Sequence, residues 1–264
     1  MGTDARTLRS MIGTADTKLG HFLLEFDVPG IGHLLRSAGC EFTVLDMEHS
    51  GFGIDTIRRV LRYLEAAGVP TIVRVPSAEY HHVARVLDLG AEGLMVPMVG
   101  SAEQLRRIAS FAKYPPVGRR GIGLGIAHDR YEPGVPADTM AAANERTTLF
   151  PQIETIEGLE NVEEIAAEPA VDCLWVGHFD LSASLGIPGE FDHPRFEAAT
   201  ERIAAAARAN GKSLGRIVSD VPTGVALRRL GFDFLAYLTD AWLFRTFLAA
   251  GIADLRRECG QPPS

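Results

Sequence analysis

Long apolar runs are missing from this chain. No stretch of about 18 consecutive apolar residues occurs, so no segment reads as a membrane span. The first residues carry Asp4, Arg6 and Arg9 with no apolar core behind them, so no secretory leader is expected. Cysteine is scarce. Cys40, Cys173 and Cys259 are odd in number, far apart and without metal-ligand spacing, which excludes a disulfide framework and points to a reducing, cytoplasmic setting. Basic stripes and lysine clusters are also absent, and the net charge is -8. That argues against nucleic acid as a partner and against a basic entrance for a CoA nucleotide. No glycine-rich turn with dinucleotide spacing follows the first strand, which weakens an open, doubly wound sheet. No low-complexity stretch or linker divides the 264 residues, so one domain is expected over residues 1–264.

What the chain does have is rhythm. Residues 1–18 are polar and irregular, an N-terminal extension with a short helix around 7–12. From there, short apolar runs alternate with segments of helical spacing. The strands are expected at 19–26, 42–45, 71–75, 93–96, 148–153, 172–176, 213–218 and 234–238. Helices are expected at 31–38, 55–67, 80–89, 102–111, 159–167, 196–210, 221–230 and 240–257. Eight such units predict a parallel α/β structure closed as a (β/α)8 TIM barrel. Only residues 113–147 break the pattern. Their prolines and glycines read as an irregular insertion at the active site.

In a barrel of this kind the site lies at the C-terminal ends of the strands. Asp46-Met47-Glu48-His49 follows the second strand and Arg74-Val75-Pro76 ends the third. Pro97-Met98 ends the fourth, Gln152 and Glu154 the fifth, and Gly177, His178 and Asp180 follow the sixth. Glu154 and Asp180 are the centre of the reading. A carboxylate at the end of a buried strand is costly, and two from adjacent strands repel each other. A divalent cation between them relieves both penalties. The plain alternative is two loop acids capping the following helices. His49 is either a general base, since imidazole titrates near neutrality, or a ring bonded to a backbone carbonyl. Arg74 must meet an anion: Asp46 or Glu48 structurally, or a substrate carboxylate held by the guanidinium fork. Asp88 is either a surface acid or the group that orients His49. Gly118-Arg119-Arg120-Gly121 is either an anion cradle containing Arg120 or a flexible loop.

Taken together, several strings resemble the metal-dependent, class II pyruvate aldolases of the hydroxyheptenedioate aldolase family, in the phosphoenolpyruvate/pyruvate barrel superfamily. They are Leu45-Asp46-Met47-Glu48-His49, Val73-Arg74-Val75-Pro76, Leu87-Asp88-Leu89-Gly90-Ala91, Met95-Val96-Pro97-Met98-Val99, Tyr114 through Gly121, Gln152-Ile153-Glu154-Thr155 and Gly177 through Ser182. They run in family order over about residues 19–250. The resemblance implies reversible cleavage of a 4-hydroxy-2-oxo acid to pyruvate and an aldehyde. It implies Glu154 and Asp180 on Mg2+, Mn2+ or Co2+, and pyruvate chelating that metal. Arg74 would stabilise the enolate oxygen, Gln152 would bond near the bound ligand, and His49 paired with Asp88 would move protons. Backbone amides at Gly177, His178 and Phe179 would take the carboxylate.

The chain departs from the pattern at several points. His178 and Phe179 stand where the family usually has proline and alanine, Met47 replaces a small residue, and Ser219-Asp220 differs after the seventh strand. The stretch 123–131, with His128, Asp129, Arg130 and Tyr131, is its own. These changes leave an oxaloacetate decarboxylase, a macrophomate-synthase-like enzyme or an acyl-CoA lyase as alternatives. Trp242, Leu243, Phe244, Phe247, Leu248 and Ile252 make the last helix broadly apolar. Periodicity favours an ordinary core helix, whereas the resemblance implies a homo-oligomer, a hexamer or trimer with that helix exchanged.

Overall fold

A strand that is apolar on both faces must be covered on both faces. Residues 71–74, 93–96 and 173–176 are buried at every position, and such strands build the centre of the molecule. The computed structural model describes residues 7–261. Its strands are β1 (Lys18–Leu23), β2 (Phe42–Asp46), β3 (Thr71–Arg74), β4 (Gly93–Val96), β5 (Thr148–Ile153), β6 (Cys173–Val176), β7 (Ser213–Val218) and β8 (Phe234–Thr239). Each pairs in parallel with the next, and β8 closes on β1. The expected (β/α)8 barrel is the observed fold.

Two apolar layers result. Side chains facing the helices form the larger core, from Leu23 and Leu45 round to Leu235. Inside the barrel, Phe22, Phe42, Phe150, Trp175 and Phe234 pack with Ile72 and Met95. Gly215 belongs to this inner layer because Trp175 fills its space. A Cβ there would lie 2.2 Å from the indole ring. The short helix Leu8–Met11 shuts the N-terminal end, with both terminal residues buried against the inner layer. Beneath it the fully buried Lys18 ammonium donates to Asp233 at 2.9 Å and to the Thr14 carbonyl at 2.9 Å. Asp233 also accepts from Ser213 Oγ and the Leu214 amide, so this buried pair is fully partnered.

Three features differ from the sequence expectation. β1 stops at Leu23 rather than continuing to residue 26. The amides of Leu24, Glu25 and Phe26 turn instead to the carboxylate of Asp240, at 3.0, 2.9 and 2.8 Å. A carboxylate holding three backbone donors fixes the chain as firmly as a strand ladder would. Within 113–147, Pro136–Arg146 is an α-helix. Proline in its first turn suits a helix start, and the alanines after it favour helix. The glycines and prolines on its N-terminal side hid it. Residues 178–184 form one further helix directly after β6.

The last helix, Asp240–Glu258, is not a core helix. Only Asp240 is buried. Trp242, Phe244, Leu248 and Ile252 are exposed, and Phe247 is 82% exposed. Its anchors are Asp240 and two ring contacts near its start, Phe244 on Phe26 and Trp242 on Phe179. Asp240→Ala strands three amides that are now paired. The expected loss is about 2–4 kcal/mol, read as a fall in Tm on thermal denaturation, with no change in the far-ultraviolet dichroism of the folded state.

Candidate active site

The loop after β2 is wound around one carboxylate. Asp46 ends the strand, is fully buried and accepts from the amides of Glu48 at 3.0 Å and His49 at 3.2 Å. Ser50 Oγ donates to its carbonyl. The parallel register sets Asp46 beside Arg74 of β3. Arg74 Nε and Nη2 then donate to the two Asp46 oxygens, both at 2.7 Å. Both structural anions named from the sequence meet Arg74: Asp46 through two hydrogen bonds and Glu48 as an ion pair at 3.1 Å from Nη1. Burial pulls this guanidinium down, but the Asp46 bonds and the nearby charges of Glu48 and Glu154 outweigh it and hold it above its ordinary value. The two N–H groups of Nη1 and the second of Nη2 make no hydrogen bond among the described residues.

Glu154 follows β5 and is 2% exposed. Its Oε1 accepts the Met98 amide at 2.6 Å and its Oε2 accepts Gln152 Nε2 at 2.6 Å. Burial pushes the carboxyl up to about 7; Glu48 and Asp180 push in the same direction, against the Met98 bond and Arg74. Glu48 is also raised, chiefly by burial, then by Asp46 and Asp180 against the pull of Arg74. Asp180, exposed at the mouth in the first turn of His178–Ser184, is thus the third acid of one electrostatic group. Glu154 and Asp180, on the ends of adjacent strands, are close enough for the Asp180 charge to act on Glu154.

Met98 was a strand-end residue in the sequence and nothing more. Its φ of 57° is left-handed, rare for a residue with a side chain. That turn points its amide at Glu154. The Pro97-Met98 break after β4 is the only sequence signal for it.

Other candidates land differently. His49 is exposed, and the carboxylate nearest its Nε2 is Glu48 at 3.7 Å. Asp88 is not its partner within one chain. Arg120 takes Asp88 Oδ1 through Nε at 3.1 Å and Nη2 at 2.5 Å, while its guanidinium stacks over Tyr114 at 4.5 Å. Arg120 is 2% exposed and spent on that acid, so 118–121 is no open anion cradle. Sequence order could not reveal this pair, since 32 residues separate its members. At the end of β6, the Gly177 amide bonds the Ile153 carbonyl at 3.3 Å. The amides of His178 and Phe179 start a helix and have no acceptor among the described residues. His178 stays neutral, held to about 3 by burial and then by Arg216.

A divalent cation fits this donor set. The Asp180 charge acts on both Glu48 and Glu154, and two buried oxygens, Glu48 Oε2 and Gln152 Oε1, have no hydrogen-bond partner. Glu48 Oε2 meets Arg74 Nη1 at 3.1 Å without hydrogen-bond alignment. Gly177 keeps the space open, since a Cβ there would sit 2.0 Å from Glu154 Oε2. Oxygen donors of this kind suit Mg2+ or Mn2+. Among the described residues no three His, Cys, Asp or Glu side chains are gathered into a complete cage. A cation held by Glu154 and Asp180 would take the rest of its coordination shell from small molecules.

The model of the HpcH/HpaI aldolase/citrate lyase family matches residues 31–246. The chain belongs to that family. A hydroxypyruvate/pyruvate aldolase of Paraburkholderia phytofirmans is 36% identical over 252 residues, 93% of this chain and 96% of that one. The crystal structure of an HpcH/HpaI aldolase from Desulfitobacterium hafniense superposes with a TM-score of 0.89 at 31% identity, covering 94% of this chain and 96% of that one. The citrate synthase SbnG superposes at 0.86 with 26% identity, over 96% and 99%. As a member of the HpcH/HpaI family, the protein is a carbon–carbon lyase of the aldolase type.

The raised Glu154 has a measurable consequence. Its folded value, about 7, lies above the ordinary 4.5, so between these the native state binds more protons than the unfolded chain. Stability of the metal-free protein therefore falls as pH rises through that window. Glu154→Gln removes the buried charge. In thermal denaturation without metal, the variant is expected to melt several degrees above wild type at pH 7.5 and to show a flatter Tm profile from pH 5 to 8. An unchanged profile excludes Glu154 as the raised group.

Proposed function

We propose that this aldolase cleaves 4-hydroxy-2-oxo acids reversibly to pyruvate and an aldehyde, with a divalent cation on Glu154 and Asp180. What supports this reading is the electrostatic influence of Asp180 on both Glu154 and Glu48, with Arg74 Nη1 beside Glu48 and without an aligned hydrogen bond. Mg2+, Mn2+ or Co2+ bound there supplies Lewis-acid polarisation of the 2-oxo group.

The chain's own residues account for the remainder. The amides of His178 and Phe179 receive the substrate carboxylate. Gln152, fixed by its bond to Glu154, orients the bound acid. The C3–C4 bond breaks, and its electrons pass to the C2 oxygen as the enolate forms. The N–H groups of Arg74 that are not bonded to Asp46 meet that oxygen, and their contribution grows as charge develops. His49 takes the proton of the 4-hydroxyl as the aldehyde leaves. It sits at the rim with its ring exposed, where a proton can exchange with water. Protonation of the enolate at C3 gives pyruvate, and the synthetic direction reverses each step. The relative named for hydroxypyruvate and pyruvate supports a short 2-oxo acid as the nucleophile. A panel of 4-hydroxy-2-oxo acids and oxaloacetate, assayed for pyruvate, tests the reading. Release from the hydroxy acids is expected to vanish with EDTA and to return with Mn2+, Co2+ or Mg2+. Full activity in metal-free protein overturns it, and release from oxaloacetate alone favours decarboxylation.

We also propose that the exposed face of Asp240–Glu258 is covered by a second copy of the chain in a homo-oligomer, a hexamer or trimer. A helix this apolar in water carries a hydrophobic cost that association removes. Sedimentation at micromolar concentration is expected to give an oligomer; a monomer refutes the exchange of this helix.

A further inference from the structure

A second polar site lies at the N-terminal end of the barrel. A cavity of about 90 Å3 opens there beside Thr71, which starts β3, and Glu92, which precedes β4. Glu154 and Asp180 lie at the opposite ends of the strands. Clefts for drug-sized ligands run to about 300–1,000 Å3, so this one has room for a small ion or a single functional group. Three guanidiniums line it, Arg62, Arg130 and Arg146, against two carboxylates, Glu65 and Glu92. They come from three separate places: the end of the helix Ile54–Ala66, the loop after 127–129, and the last residue of the helix Pro136–Arg146.

Each of these arginines keeps donors unused. Arg62 Nη2 donates to the Leu89 carbonyl at 3.0 Å, while its Nε lies 3.1 Å from Glu65 Oε2 without hydrogen-bond alignment. Arg146 Nη2 donates to the His128 carbonyl. Arg130 Nε stands 3.8 Å from Glu65 Oε1, beyond hydrogen-bond reach. A guanidinium carries five N–H groups, so most of those on the three have no acceptor among the described residues. The two acids do not balance the charge. Glu92 Oε2 is taken by the Leu8 amide at 2.9 Å, and burial raises its carboxyl. Arg146 is held below its ordinary value, first by burial and then by Arg130 and Arg120 acting against Glu92 and Asp129. The loop that presents Arg130 is firmly fixed. Asp129 accepts the Gly125 amide at 2.6 Å and the Tyr131 amide at 3.2 Å, and His128, 3% exposed, donates from Nε2 to the Gly123 carbonyl at 2.7 Å. Arg130 and Tyr131 are both left-handed, with φ of 59° and 61°. This is the stretch 123–131 in which the chain departs from its family pattern.

We propose that this cavity is a binding site for a tetrahedral oxyanion, either a free ion of the sulfate or phosphate type or the phosphate group of a small monoester. The surplus of one positive charge over Glu65 and Glu92 supplies the attraction. Unused guanidinium donors from three directions match several oxygens on one centre, where a planar carboxylate would meet only one fork. The site stands apart from the aldol chemistry and goes beyond it.

The test uses the full-length, Mn2+-loaded protein and its Arg130→Asn variant. The Arg130 side chain is 72% exposed, and asparagine tolerates the left-handed backbone, so the variant keeps the fold. Sulfate and methyl phosphate are titrated calorimetrically and followed by thermal denaturation, with chloride at equal ionic strength as the control. In wild type, sulfate is expected to bind saturably and to raise Tm with the same concentration dependence, as a ligand of the native state does. Chloride does neither. Arg130→Asn weakens the binding about tenfold, the scale of one charged hydrogen bond, while Tm without sulfate and the rate of pyruvate release stay as in wild type. Arg62→Gln, from a different element, weakens it likewise and stands in if the first variant does not fold. Methyl phosphate binding as tightly as sulfate supports the proposal and identifies a monoester as the ligand; sulfate binding alone supports it and identifies a free ion. A Tm that climbs without saturation and equally in wild type and variants is exclusion of the salt from the whole surface, and overturns the site. Saturable binding that neither variant weakens places the anion elsewhere and overturns it too.

Discussion

The repulsion among Glu48, Glu154 and Asp180 is the constraint to which the mouth of this barrel answers. A carboxylate as buried as Glu154 is held near neutrality by desolvation before its neighbours are considered. Each nearby feature reduces that penalty without abolishing it. The Met98 amide and the Gln152 amide nitrogen occupy one lone pair on each oxygen, leaving both oxygens able to accept again. Arg74 supplies charge but is anchored on Asp46, so it cannot swing over to neutralise Glu154 outright. The site keeps a deficit of positive charge.

Such a deficit requires a frame that does not relax. A flexible rim would let the three acids turn apart into solvent. Three devices prevent this. The loop bearing Glu48 and His49 is tied to Asp46, the same group that grips Arg74, so His49, Glu48 and Arg74 are held as one body. The segment after β1 is locked by Asp240 from the far end of the chain. At the opposite end, Lys18 with Asp233 and Ser213 joins β1, β7 and β8. The left-handed backbone at Met98 is the local strain this rigidity sustains, and its product is one amide aimed at Glu154.

How much of this was legible in the sequence follows from the range of each interaction. Strand periodicity and breakers are local, so all eight strands and the rim they define could be read from β1 to β8. Glu154 and Asp180 stood out because a strand end fixes a side chain's place in the barrel. The helix Pro136–Arg146 was masked by the proline and glycine density just before it. The partner of Asp88 was out of reach for a different reason. Arg120 comes from a non-repetitive segment, and no periodicity says where such a segment folds back. Met98 escaped because its role belongs to the backbone. Arg216 escaped because an arginine in a strand normally implies a nearby acid, and only the packed structure reveals that none is there.

Arg74 and Arg216 stand on the two faces of the barrel wall. Arg74 lies on the inner side, paired with Asp46 and Glu48. Arg216 lies on the outer side, over Phe191 and Phe196, with no ion-pair partner among the described residues. The departures at His178 and Phe179 pack on the same Phe191 ring. Their rings pack with each other and with Phe191, and Phe179 also meets Trp242 at the base of the exposed last helix. The aromatic cluster that follows β6 is therefore continuous, through Phe179 and Trp242, with the exposed apolar face of Asp240–Glu258, so any burial of that face would act directly on the residues that follow the sixth strand.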